Sequence, residues 1–205
     1  KKITPAGVVS DFATGLGDAY FPVFGPDGNL YVTTSTSGGG RVKRVTPAGV
    51  VSDFATGLGY AYFSVFGPDG NLYVTTSIVG GGRVKKVTPA GVVSDFATGL
   101  GDAYFPVFGP DGNLYVTTST SGGGRVKRVT PAGVVSDFAT GLGYAYFSVF
   151  GPDGNLYVTT SIVGGGRVKR VTPDGVVSDF ATGLGFALFS VFGPGTSSNN
   201  FFTFF

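Results

Sequence analysis

The 205-residue chain is predicted to be all-β, a five-bladed β-propeller of 42-residue, four-stranded repeats whose fifth blade is built from both termini. Three observations predict it. The segment Thr-Pro-Ala-Gly-Val-Val-Ser-Asp-Phe-Ala-Thr-Gly-Leu-Gly starts at Thr4, Thr46, Thr88 and Thr130, and recurs at Thr172 with Asp174 in place of Ala, each step being 42 residues. A unit of about 40 to 45 residues rich in short strands is the sequence signature of a propeller blade. No stretch carries a sustained 3.6-residue apolar stripe, and Gly and Pro interrupt the chain too often for helices of ordinary length. The repeat is also entered part-way, since Lys1-Lys2-Ile3 aligns with Lys43-Arg44-Val45, and it is abandoned after two strands of a fifth copy. Two strands at each end add up to one blade.

Within the first full copy, residues 19–24 (Ala-Tyr-Phe-Pro-Val-Phe) form strand A, ended by the turn Gly25-Pro26-Asp27-Gly28, in which Pro presets φ and Gly takes the positive φ. Residues 29–34 are β-branched and aromatic, as strand B requires. They end in Ser35-Thr36-Ser37-Gly38-Gly39-Gly40. Residues 41–45 are strand C, Thr46-Pro47-Ala48-Gly49 is a tight turn, and residues 50–55 are strand D. A single domain, 1–205, then divides into strands C and D of the closing blade (1–17), four blades (18–59, 60–101, 102–143, 144–185) and strands A and B of the closing blade (186–205). Closure hides strand edges that would otherwise pair with other chains. Phe201, Phe202, Phe204 and Phe205 are expected to pack within that closure or as an inter-subunit strand, because four exposed phenylalanines in five residues would aggregate.

Composition narrows the function classes. With 42% hydrophobic and 13% charged residues the chain is globular, and its 37 Gly and 12 Pro sit at fixed offsets as turn residues. Apolar runs fall far short of the roughly 18 residues of a membrane helix, and a net charge of +2 is too small for a nucleic-acid footprint. Absent Cys excludes disulfides and thiolate metal sites but leaves the compartment open. With Lys1 first and no Met, the chain reads as a processed form or as part of something longer.

The block from Phe24 to Thr33 (Phe-Gly-Pro-Asp-Gly-Asn-Leu-Tyr-Val-Thr), followed by Arg41-Val-Lys-Arg-Val-Thr-Pro47 after a Gly-rich loop, resembles NHL-type repeats and their relatives in the gluconolactonase-like propeller superfamily. The resemblance covers four full repeats and half of the fifth. It implies a propeller fold. Two departures bear on activity: many such blades have Asp where this chain has Thr34, Thr76, Thr118 and Thr160, and the enzymatic relatives use a Glu, Asn and Asp metal site or a catalytic His, whereas this chain has no Glu and no His.

The twelve acids are all Asp: Asp11, Asp53, Asp95, Asp137 and Asp179 on strand D, Asp27, Asp69, Asp111 and Asp153 in the turns from A to B, plus Asp18, Asp102 and Asp174. Repetition at equivalent sites predicts structural roles, with turn Asp bonding its own backbone and strand D Asp pairing with basic strand C. Asp18 and Asp102 differ, since the same position is Tyr60, Tyr144 and Phe186 elsewhere. Two carboxylates in non-adjacent blades make a poor calcium site, and Gly38-Gly39-Gly40-Arg41 reads as a hairpin loop rather than an anion cradle. No Ser or Thr has a His or Cys partner, so neither catalysis, a metal nor a cofactor is expected.

Copies alternate at Asp18 and Asp102 against Tyr60 and Tyr144, at Thr36-Ser37 and Thr120-Ser121 against Ile78-Val79 and Ile162-Val163, and at Pro22 and Pro106 against Ser64 and Ser148. The first two sets lie on connections at one end of the propeller. That end, with Asp18, Tyr60, Ile78, Val79, Asp102, Tyr144, Ile162, Val163 and Phe186, is the expected contact face. The leading expectation is a non-enzymatic extracellular or surface protein with a structural or adhesive role, whose terminal strands also permit head-to-tail assembly into filaments. The alternative is a multivalent lectin-like module with shallow sites between blades and Tyr20, Tyr62, Tyr104 and Tyr146 as stacking surfaces. Expected partners are other copies of the chain, surface proteins or glycans.

Overall fold

Turn chemistry cuts each repeat into its strands. In the computed structural model, which describes residues 1–35, 39–77, 81–119, 123–161, 165–185, 187–192 and 201–204, Asp27 accepts the Asn29 amide at 3.1 Å while Gly28, at φ +78°, donates back to the Gly25 carbonyl at 3.0 Å. This closes the A-to-B hairpin. Thr46 closes the C-to-D hairpin, accepting from Gly49 N at 2.8 Å through its carbonyl and from Val50 N at 3.2 Å through its hydroxyl. Both turns hold residues that the sequence assigned to strands. Asn29 and Val50 are turn residues, and the strands begin one position later.

The resulting strands are β1 (Lys2–Ile3) and β2 (Val9–Ser10), then β3 (Asp18–Phe24), β4 (Leu30–Ser35), β5 (Arg41–Val45) and β6 (Val51–Ala55) in the first full copy. The second copy has β7 (Tyr60–Phe66), β8 (Leu72–Ser77), β9 (Arg83–Val87) and β10 (Val93–Ala97), and the third β11 (Asp102–Phe108), β12 (Leu114–Ser119), β13 (Arg125–Val129) and β14 (Val135–Ala139). The fourth has β15 (Tyr144–Phe150), β16 (Leu156–Ser161), β17 (Arg167–Val171) and β18 (Val177–Ala181), and β19 (Phe189–Phe192) and β20 (Phe201–Phe204) follow. Each full copy is one antiparallel meander in chain order, such as β3-β4-β5-β6. The terminal halves form two-stranded ladders of their own, β1-β2 and β19-β20, and among the described residues no strand pairing joins them into the expected 2+2 blade.

Innermost strands follow one another around an axis, β3 against β7, β7 against β11, β11 against β15 and β15 against β19. The hydrophobic core lies between successive sheets: Tyr31, Val42 and Ala55 of one copy pack with Leu58, Ala61, Leu72 and Val74 at the next. Tyr31 is central to this interface, edge-on to Phe54 of its own sheet at 4.8 Å and to Phe66 of the next at 5.1 Å. Leu58, Leu100 and Leu142, in the connections between copies, are essentially fully buried. They are held there by a backbone clasp, in which Leu58 N donates to Gly40 O at 3.1 Å and Gly40 N donates to Gly59 O. Gly40 is therefore a docking point for the chain as it crosses to the next sheet, and a Cβ on it would collide with the Gly59 carbonyl and the Ala61 amide.

Strand D aspartates pair with strand C as expected. Asp53 meets Arg41 and Lys43 at 3.0 Å each, and the set repeats at Asp95, Asp137 and Asp179. Such half-exposed pairs contribute little to stability.

Faces that inner copies bury are open in the outer ones. Phe24 is 73% exposed, whereas its equivalents Phe66, Phe108 and Phe150 are half-buried against the preceding tyrosine. Beside it, Phe12, Leu16, Pro22, Leu30 and Val32 line a recess of about 210 Å³.

Candidate functional site

Two adjacent aromatics, Tyr20 and Phe21, break the alternation of strand A, and the structure makes them a bulge. The β3–β4 register runs Ala19↔Thr34 and then Pro22↔Val32, so both residues face Thr33. The Thr33 hydroxyl holds the bulge: it accepts from Phe21 N at 3.2 Å and donates to the Tyr62 carbonyl of the next copy at 2.6 Å. The same donation recurs from Thr75 to Tyr104 O, from Thr117 to Tyr146 O and from Thr159 to Leu188 O. Local conformation and sheet-to-sheet attachment thus depend on one buried hydroxyl per copy.

The bulges bring aromatic rings together along the axis in two tiers. Phe21, Phe63 and Phe105 contact one another with ring centroids 5.3 to 5.5 Å apart, and Phe105 continues to Phe147 at 4.2 Å. Phe147 reaches Phe189 at 5.4 Å. Because Phe21 touches Phe105 two copies away, this tier is a plug rather than an open bore. One residue nearer the start of strand A, Tyr20 pairs edge-on with Tyr62 at 5.5 Å and Tyr104 with Tyr146 at 5.8 Å. Strand A starts at Asp18, Tyr60, Asp102 and Tyr144, all exposed, so carboxylates and phenols alternate at the rim beside the tyrosines. Burial pushes the Tyr104 phenol above its ordinary value, and the Asp102 carboxylate and the Tyr146 and Tyr62 phenols push it the same way. At neutral pH it is a hydrogen-bond donor.

Of the expected contact face, the structure places Asp18, Tyr60, Asp102 and Tyr144 at this rim; Ile78, Val79, Ile162, Val163 and Phe186 lie outside the described residues. Phe201, Phe202 and Phe204 form β20, paired with β19, while their side chains and Phe205 lie outside the description. Among the described residues no three carboxylates converge as metal ligands would.

At the opposite end, clefts of about 130 to 190 Å³ lie between successive sheets, one of them lined by Pro26, Asp27, Tyr31, Phe54 and Phe66. Their polar groups are engaged: Asp27 accepts from Asn29 Nδ2 at 2.7 Å and Tyr31 OH at 2.8 Å, and Asp69, Asp111 and Asp153 repeat the pattern. Burial and the bond to Asp push Tyr31, Tyr115 and Tyr157 up to about 12, and Tyr73 further. A group whose folded pKa is raised contributes stability that is full below its ordinary pKa of about 10 and is lost above it. We expect the urea midpoint to be level from pH 7 to 9.5, to fall between pH 10 and 12, and to fall less in Tyr115→Phe. Burial opposes ionisation of Asp27, but the bonds from Asn29 and Tyr31 outweigh it and leave the carboxyl below its ordinary value, so this contribution is lost only below about pH 4.

No family model matches the chain, and no curated protein matches its sequence. Solved structures do match. A catalytically inactive virginiamycin B lyase from Staphylococcus aureus with quinupristin superposes with a TM-score of 0.69 at 18% identity, over 91% of this chain and 69% of that one. A gluconolactonase from Xanthomonas campestris gives 0.69 at 15% identity over 85% and 65%, and a PQQ-bound aldose sugar dehydrogenase from Streptomyces coelicolor 0.67 at 18% over 81% and 63%. The chain is a β-propeller. It is all-β, and its repeated four-stranded sheets are consistent with five blades. It spans 55% of the length of virginiamycin B lyase in another structure of that enzyme, and identities this low carry the fold and no activity.

These neighbours overturn the expected structural or adhesive role. They are a lyase, a gluconolactonase and a dehydrogenase, not adhesive or filament-forming proteins. A propeller is built by radial repetition of one four-stranded unit, so repetition by itself was no sign of a fibrous role. The lectin-like alternative falls too, because Tyr20 and Tyr62, and Tyr104 and Tyr146, are turned onto each other at the axis rather than standing singly between blades. Sequence reasoning missed the phenylalanine tier; its signal was the pair of consecutive aromatics in an otherwise alternating strand.

Proposed function

We propose that this propeller binds a small molecule bearing an aromatic ring and a cationic amine at the tyrosine-lined mouth of its axis, without turnover. The observation that carries this reading is the tier of tyrosine pairs resting on the phenylalanine tier, with the Asp102 carboxylate close enough to Tyr104 to raise its pKa. Tyrosine faces attract cations through the ring quadrupole, and rim carboxylates add an attraction of the same sign. The NHL-type repeat pattern fits this use, since it builds the framework and leaves the position of Asp18 and Tyr60 free to vary. Absence of His, Glu and Cys from the sequence leaves the mouth short of groups that titrate near neutrality, which favours binding over turnover.

Calorimetric titration with phenyltrimethylammonium, indole and benzoate tests it. The cation is expected to bind most tightly, at one per chain, and benzoate most weakly; Tyr104→Ala should weaken the cation about tenfold, the equivalent of roughly 1.4 kcal/mol. No binding by any of the three, or binding that Tyr104→Ala leaves unchanged, overturns the proposal.

A further inference from the structure

Hydroxyls without a protein partner recur inside the blade interfaces. Thr34, Thr76, Thr118 and Thr160 Oγ1, with Ser64 and Ser148 Oγ, are buried, and among the described residues none of them has a hydrogen-bond partner. Buried hydroxyls are normally satisfied, so six exceptions at repeated positions call for a physical cause.

The strand register shows how they lie. Ser64 is opposite Val74 in the β7–β8 ladder, and Thr76 is two residues beyond Val74 on the same face. Ser148 stands in the same relation to Thr160 across Val158. Diagonal neighbours of this kind have Cα atoms about 7 to 8 Å apart and Cβ atoms somewhat closer, a spacing suited to one intervening molecule of water rather than to direct contact. Ala61, opposite Thr76, adds only a methyl group to the spot. In the alternate copies the serine is replaced by Pro22 or Pro106, whose ring offers no hydroxyl.

We propose that the second and fourth copies each bind one buried water, bridging Ser64 Oγ to Thr76 Oγ1 and Ser148 Oγ to Thr160 Oγ1, while the proline-bearing copies are dry at this point. A buried water is held by at least two polar partners, which only the serine copies supply. The Ser and Pro alternation is then an alternation of wet and dry interfaces. It is independent of any ligand at the axial mouth.

A crystal structure at about 1.5 Å and thermal unfolding of four variants test this. Density for one water between each Ser and Thr pair, and none beside Pro106, is expected. Thr76→Val should lower the melting temperature by about 2 to 4 °C, the scale expected for one lost buried interaction in a chain of this size. Thr118→Val, which removes a hydroxyl with nothing to bond, should leave it unchanged or raise it. Ser64→Ala together with Thr76→Val should cost no more than either alone. Dry interfaces in the crystal, a direct Ser64 to Thr76 hydrogen bond, or equal and additive effects at Thr76 and Thr118 would each overturn the proposal; the wild-type density decides if a variant does not fold.

Discussion

Alanine at Gly82 is expected to lower the free energy of unfolding by about 3 to 5 kcal/mol, the sum of an overpacked contact and two broken buried hydrogen bonds. Gly82 N donates to Gly101 O, and Leu100 N donates to Gly82 O at 3.1 Å. An added Cβ would run into the Gly101 carbonyl and lie 2.7 Å from Ala103 N, so what must move is backbone, which has nowhere to go. Leu100, fully buried beside it, would lose its seat. Gly70→Ala is the control. Gly70 has φ +75° with open space around it, so its substitution costs only the left-handed backbone strain of about 1 to 2 kcal/mol. Urea unfolding of both variants measures the difference, and equal losses would mean that the interblade clasp is not what constrains Gly82.

Phe105→Ala is expected to cost about 3 to 5 kcal/mol, the range for truncating a buried aromatic to a methyl group. Phe105 is the centre of the axial plug, in contact with Phe21, Phe63 and Phe147, and it is 9% exposed. Phe189 sits at the equivalent position with Phe147 as its one ring neighbour among the described residues, and its exposure of 38% should reduce the loss on Phe189→Ala to about 1 kcal/mol. Truncation at Phe105 also removes the floor beneath Tyr104. A dye such as anilinonaphthalene sulfonate should then bind the variant under native conditions and not the parent chain.

The framework was legible because each repeat states its own punctuation. Gly-Pro-Asp-Gly-Asn and Thr-Pro-Ala-Gly are turns with a mechanism, and the Asp27 and Thr46 hydrogen bonds are the ones those residue types are known for. Strand ends were misplaced by one residue where a turn retained Asn29 or Val50. The axial site was less legible. Phe21 and Phe105 lie 84 positions apart in sequence and meet only because the sheets are arranged around an axis, a distance that no local pattern encodes. Tyr20, Tyr62, Tyr104 and Tyr146 were recognised as aromatic surfaces, but their pairing depends on a bulge pinned by Thr33, a residue that reads in sequence as an ordinary strand former. The role inferred from repetition failed for a related reason: periodicity specifies architecture and is silent about what the architecture carries.

The threonine that pins each bulge gives the ring a sense of rotation. Every described bond of this kind runs forward, from strand B of one blade to strand A of the next: Thr33 to Tyr62, Thr75 to Tyr104, Thr117 to Tyr146 and Thr159 to Leu188. In the last copy the register changes the donor. Phe189 is opposite Phe204, as Phe147 is opposite Thr159, so a residue without a hydroxyl stands where the next forward bond would start. The described series of forward bonds therefore stops short of the first copy, where Tyr20 and Phe24 are exposed. The succession of blades thus has a direction, written by one hydroxyl per copy, and it ends where the sequence places Phe204 in the donor's position.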